Sequence, residues 1–326
     1  EELKLVLLGN LGYFHDDPYT LSLGYYLTAQ GSYYSGRANF VKGGSQMLSG
    51  ALMSIITRHG GTVKLKHLAT GIEYEGKRPA GVTYENAGGK KKEHYTDHAG
   101  EIIMNGAIPN LAGSLLSRAD GRKLSRAIRK NRIGPSLLTV YFGFNKPLKT
   151  LGNKNYSTFI YHPSVRSQAD IAKNNRSNFG TRSFTFVDYS QVDSGLAPEG
   201  KSVGAACCVD YPEDWEGMLR EEYVRLKSDV ADTITGRCEN FIPGFRDAVE
   251  YVEVATPLTV KRFTLNPGGA VYGFAQEPDR PTGYLSMLPD NIHIASAWGK
   301  FGGGFSGSIY SGYMTALDVL RKRIRG

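Results

Sequence analysis

The chain has few of the residues that build metal or disulfide sites. Its 326 residues include three cysteines, Cys207, Cys208 and Cys238, and seven scattered histidines without an HExxH pair. The cysteines lack the spacing of metal ligands, and so sparse and odd a set is typical of reduced thiols in a cytoplasmic protein. We therefore predict that the protein has no metal centre and a cytoplasmic location.

A membrane span and a secretion signal are also missing. No apolar run approaches the roughly 18 residues that crossing a bilayer requires. The opening EELKLVLLGN has two leading acids and a short apolar run, unlike a signal peptide, and it looks like the middle of a protein. With 40% hydrophobic and 21% charged residues, the composition is that of a globular protein. The length suggests about two domains.

Motifs for self-sufficient catalysis are absent. The sequence contains no recognisable catalytic triad, P-loop or pair of carboxylates at helical spacing. The segment GFSGS at residues 304–308 does not have the G-x-S-x-G spacing of a nucleophile elbow. If the protein is an enzyme, we therefore expect a cofactor to carry the reaction and no side chain to be catalytic by itself.

The net charge of +8 raises the question of an anionic partner. Basic residues cluster in the last turn of the final helix (Arg321, Lys322, Arg323 and Arg325) and in a predicted hairpin tip (Lys90, Lys91 and Lys92). In the last turn of the final helix these cations complement the helix dipole, and at the hairpin tip they are solvated. No basic run is interleaved with aromatic residues in a stacking pattern, so we predict no binding to nucleic acid.

Residues 41–110 have the pattern of half an α/β nucleotide-binding domain. Ser45 can cap a helix with Leu48, Leu52 and Ile55 on one face, which the glycines at 60 and 61 end. Alternation of polar and apolar residues at 62–66 predicts a strand, and short strands are predicted near residues 72–74 and 81–84. The segment GEIIMN at 100–105 predicts a buried strand.

Between residues 111 and 255 the character of the sequence changes. LLTVYFGFNKPL, RSFTFVDYS and SVGAACCVDYP predict strands, and a long helix begins near Asp214. This region therefore has its own sheet and covering helices, which predicts a second domain. The chain returns to the nucleotide-binding domain at about residue 256. The pattern of residues 1–40 predicts a partly helical segment.

The last organised segment is a strand, a glycine loop and a helix. The strand at Ile292–Ala295 leads into FGGGFSG, which matches G-x-G-x-x-G at Gly302–Gly307. The full fingerprint also needs a later strand with an acidic residue, for which no sequence follows. The loop and helix start therefore predict a site for an anion or an oxygen acceptor. A glycine hinge before a tightly docked helix is the alternative.

Two blocks of the sequence resemble one family of enzymes. The first contains YYSGRANFVKGGSQMLSGAL and HGGTVKLKHLATGI, at residues 33–52 and 59–72. The second contains TPLTVKRFTLNPGGAVYG and IHIASAWGKFGGGFSGSIYSGYMTAL, at residues 256–273 and 292–317. They resemble the carotenoid (phytoene) desaturase, carotenoid isomerase and retinol saturase family of FAD-dependent oxidoreductases. That family opens with a strand–GxGxxG–helix unit that is not found here, so we expect a longer protein or a missing first part.

The resemblance implies a mixed α/β (α+β) fold. An incomplete Rossmann-like FAD/NAD(P)-binding domain would be formed by residues 41–110 and 256–326. An inserted mixed-sheet substrate domain would be formed by residues 111–255, and residues 1–40 would be its partly helical segment.

The resemblance also implies which residues bind FAD. Backbone groups of the final loop would contact the ribityl chain and the flavin C2=O/N1 edge, namely those of Gly303, Gly304, Phe305, Ser306 and Gly307. Ala69, where valine is common, would contact the adenine, and Asn105 would lie near the ADP portion. Gly43 and Gly44 would lie near the isoalloxazine ring. Gly269 and Ala270, with Tyr272, would border the substrate pocket, and Ser296 departs from a glycine common in the family.

The function implied is a desaturase-, isomerase- or saturase-like oxidoreduction by hydride transfer to flavin N5. The substrate would be a long apolar polyene of the carotenoid or retinoid kind, and such a substrate makes peripheral association with membranes an expectation. Two alternatives remain open: an amine-oxidase-like flavoenzyme, and a non-catalytic protein that binds an apolar ligand on a flavoenzyme fold.

Overall fold

The computed structural model describes residues 1–35, 39–88 and 92–325, without the side chains of Arg323 and Arg325. Part of the predicted hairpin tip, Lys90 and Lys91, lies outside the described residues, as do residues 36–38 of the first resemblance block. By its internal contacts the chain divides into two compact units, of residues 1–62 with 135–263 and of residues 63–134 with 264–326. We call them the first and the second unit.

The α-helices are α1 Glu2–Leu7, α2 Leu23–Ser35, α3 Ser45–Arg58, α4 Ile108–Asn110, α5 Arg118–Ile128, α6 Ile171–Asn174, α7 Arg220–Glu239, α8 Phe245–Ala248, α9 Pro257–Thr264 and α10 Gly304–Arg325. The strands are β1 His67–Glu75, β2 Arg78–Asn86, β3 His94–His98, β4 Ile102–Met104, β5 Ser136–Phe144, β6 Ser157–Ile160, β7 Phe184–Asp188, β8 Ser202–Asp210, β9 Val249–Ala255 and β10 Ile292–Ile294. Short 3₁₀ turns lie at Leu11–Tyr13, Leu148–Leu151, Gln168–Asp170, Tyr189–Gln191, Pro212–Asp214, Pro267–Gly269 and Gly283–Met287, with a π-helical turn at Leu111–Leu115.

The first unit is built on a five-stranded antiparallel sheet in the order β6-β7-β8-β5-β9. Alternation along β5 divides its side chains between two faces, because successive residues of a strand point to opposite sides. Val140, Phe142 and Phe144 are buried on one face, against the buried side of α7 and the ring of Phe245. Tyr141 is on the opposite face and is half exposed. One face of the sheet therefore forms the core, and the other face is available for a different role.

A buried ion pair and a tryptophan hydrogen bond share the carboxylate of Asp210 at the end of β8, and they connect this strand to the segment before α7. The Arg182 guanidinium lies 2.6 Å from one carboxylate oxygen of Asp210, and both side chains are almost fully buried. The Trp215 indole N–H donates to the other oxygen at 2.8 Å. Trp215 thereby lies in the core, while the chain passes through Gly217 with a φ of 81° before α7 begins at Arg220. The long helix thus begins six residues after its predicted start near Asp214.

The second unit combines an antiparallel meander, β1-β2-β3, with a parallel pair, β10-β4. Its core contains two large aromatic residues, Phe274 and Trp298, whose rings pack edge to face at 4.9 Å. Leu124 and Ile128 on α5 are buried in the same core. Residues 111–134 therefore pack with the second unit, although the sequence pattern groups them with the substrate domain.

Residues 41–62 pack with the first unit, whereas the sequence pattern groups them with the FAD-binding domain. The Gly43 amide donates to the Ser194 carbonyl at 2.7 Å, and the Lys42 ammonium lies 2.6 Å from the Asp193 carboxylate. The predicted helix is present as α3, but Gly44 is its N-cap and Ser45 is its first residue. These contacts fix the start of α3 within the first unit.

The strand predicted at residues 62–66 is wrong. The segment is irregular, and β1 begins at His67. No strand in the described ranges pairs with it, and Lys66 has a left-handed φ of 58° that interrupts an extended chain. Leu65 is largely exposed. The alternating pattern alone did not form a strand, because a strand also needs a neighbour for its backbone hydrogen bonds.

We expect the Asp210→Ala variant to lose about 3–5 kcal/mol in its free energy of unfolding, because it removes the buried carboxylate 2.6 Å from the Arg182 guanidinium and leaves the part-exposed Asp214, at 3.5 Å, as its counter-charge. Urea unfolding followed by tryptophan fluorescence measures this loss. The matched control is Glu250→Ala, which breaks the exposed pair with Lys201 and should cost about 0–1 kcal/mol. Equal losses in both variants would contradict a buried Arg182–Asp210 pair.

Candidate functional site

The candidate site of the second unit lies where its two parallel strands end. β4 and β10 run side by side from Ile102–Ile292 to Met104–Ile294. Beyond them the Ala295 amide donates to the Met104 carbonyl at 2.9 Å, and the Asn105 side chain donates to the Ala295 carbonyl. Ligands of open α/β sheets bind outside the carboxyl ends of the parallel strands. Asn105 and the loop after β10 are therefore together at the edge where a ligand is expected.

The glycine loop leads directly into the start of α10. Gly302 and Gly304 have φ values of 74° and 76°, a left-handed conformation that favours glycine. The helix begins at Gly304 and runs for 22 residues. Phe305 and Ser306, in its first turn, are exposed. The first N–H groups of a helix have no partner within it and carry partial positive charge, so this end is suited to an anion or an oxygen acceptor.

Tyr272 packs directly on this loop. A Cβ atom added to Gly303 would lie 2.6 Å from the Tyr272 Cα and 2.8 Å from its ring Cδ1. A Cβ atom on Gly307 would lie 2.8 Å from the Gly302 carbonyl oxygen. Gly303 and Gly307 are thus positions of close backbone approach, and the structure brings Tyr272 together with the predicted cofactor loop.

Helix α10 docks on β10 through two small polar residues. Ser311 and Thr315, one turn apart, are buried, and the Thr315 hydroxyl donates to the Ile294 carbonyl at 3.1 Å. Among the described residues nothing lies within 4 Å of a Cβ atom added to Gly312, and Ala316 is exposed. Ser311 and Thr315 therefore face the sheet, whereas Gly312 and Ala316 do not.

The loop that contains Gly269 and Ala270 is held inside the second unit. Ala270 is fully buried in the core with Phe274 and Trp298, and Gly269 is buried with a φ of 67°. Asn266 fastens the loop, because its amide donates to the Ala270 carbonyl at 2.8 Å and accepts the Trp298 indole N–H at 3.2 Å. These contacts place Tyr272, two residues later, against the glycine loop.

The remaining predicted residues lie elsewhere. Ala69 is exposed on β1 opposite Tyr84, beside a bulge between Ala69 and Gly71. Gly43 and Gly44 belong to the first unit, where both have a φ of 82°. Within the second unit, the structure therefore packs Tyr272 on the final loop, and it places Asn105 against Ala295 just after β10.

The first unit has a tyrosine-rich sheet face that the sequence patterns did not identify. Tyr13, from the turn Leu11–Tyr13, packs edge to face on Phe159 of β6, and Tyr156 packs edge to face on Tyr189. Burial raises the pKa of Tyr13 and of Tyr156 to about 12, so both hydroxyls stay neutral at physiological pH. A cavity lies under the same turn. The alternation of strand residues between the two sheet faces along β8 was the available clue in the sequence, but it does not reveal which residues cover the face opposite the core.

Across residues 1–35, 39–88 and 92–325, no three His, Cys, Asp or Glu side chains are grouped as ligands for a metal ion. In the same ranges, every helix is too short or too polar to cross a membrane.

Comparison with known proteins gives relatives in sequence. No family profile matches the chain. It is 27% identical over 257 residues to prolycopene isomerase 2, chloroplastic, of an Oncidium hybrid cultivar, covering 77% of this chain and 40% of that protein. It is 25% identical over 260 residues to all-trans-retinol 13,14-reductase of Danio rerio, covering 74% of this chain and 42% of that protein. The chain thus spans about two-fifths of the length of these relatives.

Solved structures show the same fold. An oxidoreductase from Methanosarcina mazei aligns with a TM-score of 0.59 at 17% identity, covering 98% of this chain and 65% of that one. Cyclohexylamine oxidase from Brevibacterium oxydans aligns with a TM-score of 0.58 at 12% identity, covering 98% and 64%. These matches confirm the predicted fold class, a mixed α/β fold of the Rossmann-like kind. The sequence relatives confirm the predicted resemblance.

We expect Gly303→Ala to lower the free energy of unfolding by about 1–3 kcal/mol, because the new methyl group would overlap Tyr272. Thermal unfolding monitored by circular dichroism measures the change. Gly312→Ala is the matched control, where the added methyl has room among the described residues and should stabilise the helix by up to about 1 kcal/mol. If Gly303→Ala is as stable as the parent protein, Tyr272 does not pack on the loop.

Proposed function

We propose that this chain, a relative of prolycopene isomerases and of a retinol reductase, forms part of an FAD-dependent oxidoreductase that acts on a long apolar polyene. The observation that carries the proposal is the exposed first turn of α10, which follows a glycine loop on the carboxyl side of β10. The sequence relatives support a carotenoid- or retinoid-like substrate.

The second unit fits the flavin part of FAD. Gly302 and Gly303 are buried, and the exposed part of this segment is the first turn of α10 at Phe305 and Ser306, whose N–H groups offer positive potential. An electron-rich edge such as flavin N1/C2=O is the kind of group this arrangement stabilises. We propose that backbone groups from Gly303 to Gly307 hold this edge and that Asn105 lies near the ADP portion. Contacts of Ala69, Gly43 and Gly44 with FAD rest on the family resemblance.

When bound, the flavin would supply the redox chemistry by exchanging a hydride with a substrate carbon at N5. The chain's own residues would then bind and orient the cofactor and the substrate. We propose that Tyr272, seated on the glycine loop, limits the space beside the cofactor and borders the substrate pocket with the loop of Gly269 and Ala270. The absence of a recognisable triad in the sequence agrees with this division of roles.

The first unit fits an apolar substrate. The sheet face opposite its core has Tyr141 on β5 and Ala205 on β8 as neighbours in register, with Val187 of β7 beside them. Small and aromatic side chains of this kind suit a hydrocarbon chain, because they offer apolar area with few polar groups to desolvate. We propose that this face binds the polyene.

The amine-oxidase alternative is supported by the fold alone, since the aligned oxidase is 12% identical. The sequence relatives named for prolycopene and retinol favour an apolar polyene instead. The non-catalytic alternative differs in one observable respect, because such a protein would bind an apolar ligand without flavin reduction.

We expect Ser306→Asp to stabilise α10 and to weaken FAD binding about fivefold, because a carboxylate at the helix start occupies the positive end of the dipole. Titration of the full-length protein with FAD, followed by flavin fluorescence, measures the affinity, and a thermal melt measures the stability. Ser306→Asn is the control without the charge and should bind FAD like the parent. An unchanged affinity in Ser306→Asp would show that the helix start does not face FAD.

We expect the purified full-length protein to show the visible bands of a flavin, and these should bleach under anaerobic conditions when an isoprenoid polyene is added. Bleaching by a primary amine instead would favour the amine-oxidase alternative. A protein that neither contains nor takes up FAD would overturn both enzymatic functions. Sedimentation of the same protein with anionic vesicles tests the proposed peripheral membrane association.

A further inference from the structure

We propose that Arg280 is a positioning residue for the candidate FAD site, and that it orders the glycine loop before a cofactor binds. It acts through the entry segment, residues 298–300, which lies between β10 and the glycines at 302–304. The proposal rests on the function proposed above, since it concerns the loop that is proposed to hold the flavin edge.

Three consecutive carbonyl groups of the entry segment accept hydrogen bonds from two side chains. The Arg280 Nη2 donates to the Gly299 carbonyl at 3.2 Å and to the Lys300 carbonyl at 3.1 Å. The Tyr284 hydroxyl donates to the Trp298 carbonyl at 2.8 Å. We call these three bonds the clamp. Because a guanidinium has several N–H groups in a fixed plane, one arginine can hold two carbonyls at a set spacing.

The clamp is largely shielded from water. Tyr284 is 2% exposed, and burial raises the pKa of its hydroxyl, which therefore stays protonated and able to donate. Trp298 and Gly299 are buried as well, and Arg280 is half-buried. A hydrogen bond from a charged group is stronger where water is excluded, and a buried carbonyl that loses its donor is costly. The clamp therefore forms within the protein itself and needs no ligand.

The segment that contains Arg280 is itself held in the second unit on both sides of this residue. Directly after it, the Pro281 carbonyl accepts a hydrogen bond from the Asn131 side chain at 3.1 Å. Before it, the chain passes so close to the strand-end loop that a Cβ atom added to Gly273 would lie 2.5 Å from the Ala297 carbonyl oxygen. The guanidinium is thus attached to a backbone whose position is already fixed.

The glycine loop benefits from such a support because it has few side chains of its own. Glycine loses more conformational freedom on folding than any other residue, so three consecutive glycines are costly to order. Gly303 packs on Tyr272, and the Phe301 ring packs edge to face on Tyr310 of α10 at 4.8 Å. The clamp fixes the backbone directly before Phe301. The loop is therefore held on both sides of its glycines.

A loop that is ordered in advance binds a ligand more tightly, because its conformational entropy is lost in folding and not in binding. The first turn of α10 then keeps one direction with or without FAD. Loss of Arg280 should therefore weaken FAD binding even though this side chain acts through the backbone of the entry segment.

We expect Arg280→Ala to bind FAD about tenfold more weakly than the parent in a fluorescence titration of the full-length protein. Arg280→Lys keeps the charge without the planar fork and should lose about threefold, which keeps the test decisive if the alanine variant does not fold. Added methylguanidinium should restore the affinity of Arg280→Ala, because it can donate to the same two carbonyls.

Arg237→Ala is the matched control. The Arg237 Nη1 also donates to two backbone carbonyls, those of Phe179 at 2.8 Å and Arg182 at 2.6 Å, but these lie in the first unit. Its loss should lower the melting temperature and leave FAD affinity like that of the parent, with or without methylguanidinium. Equal weakening of FAD binding in Arg237→Ala and Arg280→Ala would show a general loss of stability and would overturn the positioning role.

Amide hydrogen exchange of residues 301–307 in the protein without FAD gives a reading that does not depend on the cofactor. Exchange there should be faster in Arg280→Ala than in the parent and unchanged in Arg237→Ala. Parental exchange in Arg280→Ala, or parental FAD affinity in both Arg280 variants, would contradict the proposal. If the parent takes up no FAD while exchange is faster in Arg280→Ala, the proposed function is overturned and the ordering of the loop by Arg280 stands.

Discussion

The close approach of the glycine loop to Tyr272 is the contact on which the second unit's site depends. A single Cβ atom at Gly303 would lie 2.6 Å from the Tyr272 backbone. This contact holds the loop that leads into α10, and farther along the helix Ser311 and Thr315 are buried, with Thr315 bonded to the last residue of β10. The loop therefore does two things: it satisfies a packing constraint, and it leaves a positively polarised helix end open to a ligand.

The two faces of the five-stranded sheet in the first unit have different surroundings, because successive residues of each strand point to opposite sides. On one face Val140, Phe142 and Phe144 close the core against α7, and the buried Arg182–Asp210 pair fixes the adjoining chain. On the opposite face Tyr13 packs on Phe159 and Tyr156 packs on Tyr189, and the N-terminal turn covers part of it. Burial keeps the Tyr13 hydroxyl and the Cys207 thiol neutral at physiological pH by raising the pKa of each, which suits the apolar ligand proposed for this face.

Individual residues show why part of the site was predictable. The final loop could be located because glycines with positive φ leave a pattern in the sequence, and Tyr272 follows its own glycine pair. Ala270 also follows the glycine pair at 268 and 269, yet its side chain is buried among Phe274 and Trp298 and does not border an open pocket. The cavity under the turn Leu11–Tyr13 was missed, because that turn and the sheet beneath it are more than 100 residues apart in the chain and no local pattern joins them.

The sequence by itself determined the mixed α/β fold, three of the five strands of the large sheet (β5, β7 and β8), α3 and the glycine loop before the final helix. These features arise from local alternation, helical periodicity and glycine conformation, which depend on near neighbours. The tertiary structure decided that residues 62–66 do not pair, that residues 111–134 pack with the second unit, and which sheet face is open. The physical reason is that strand pairing and burial depend on partners distant in the chain.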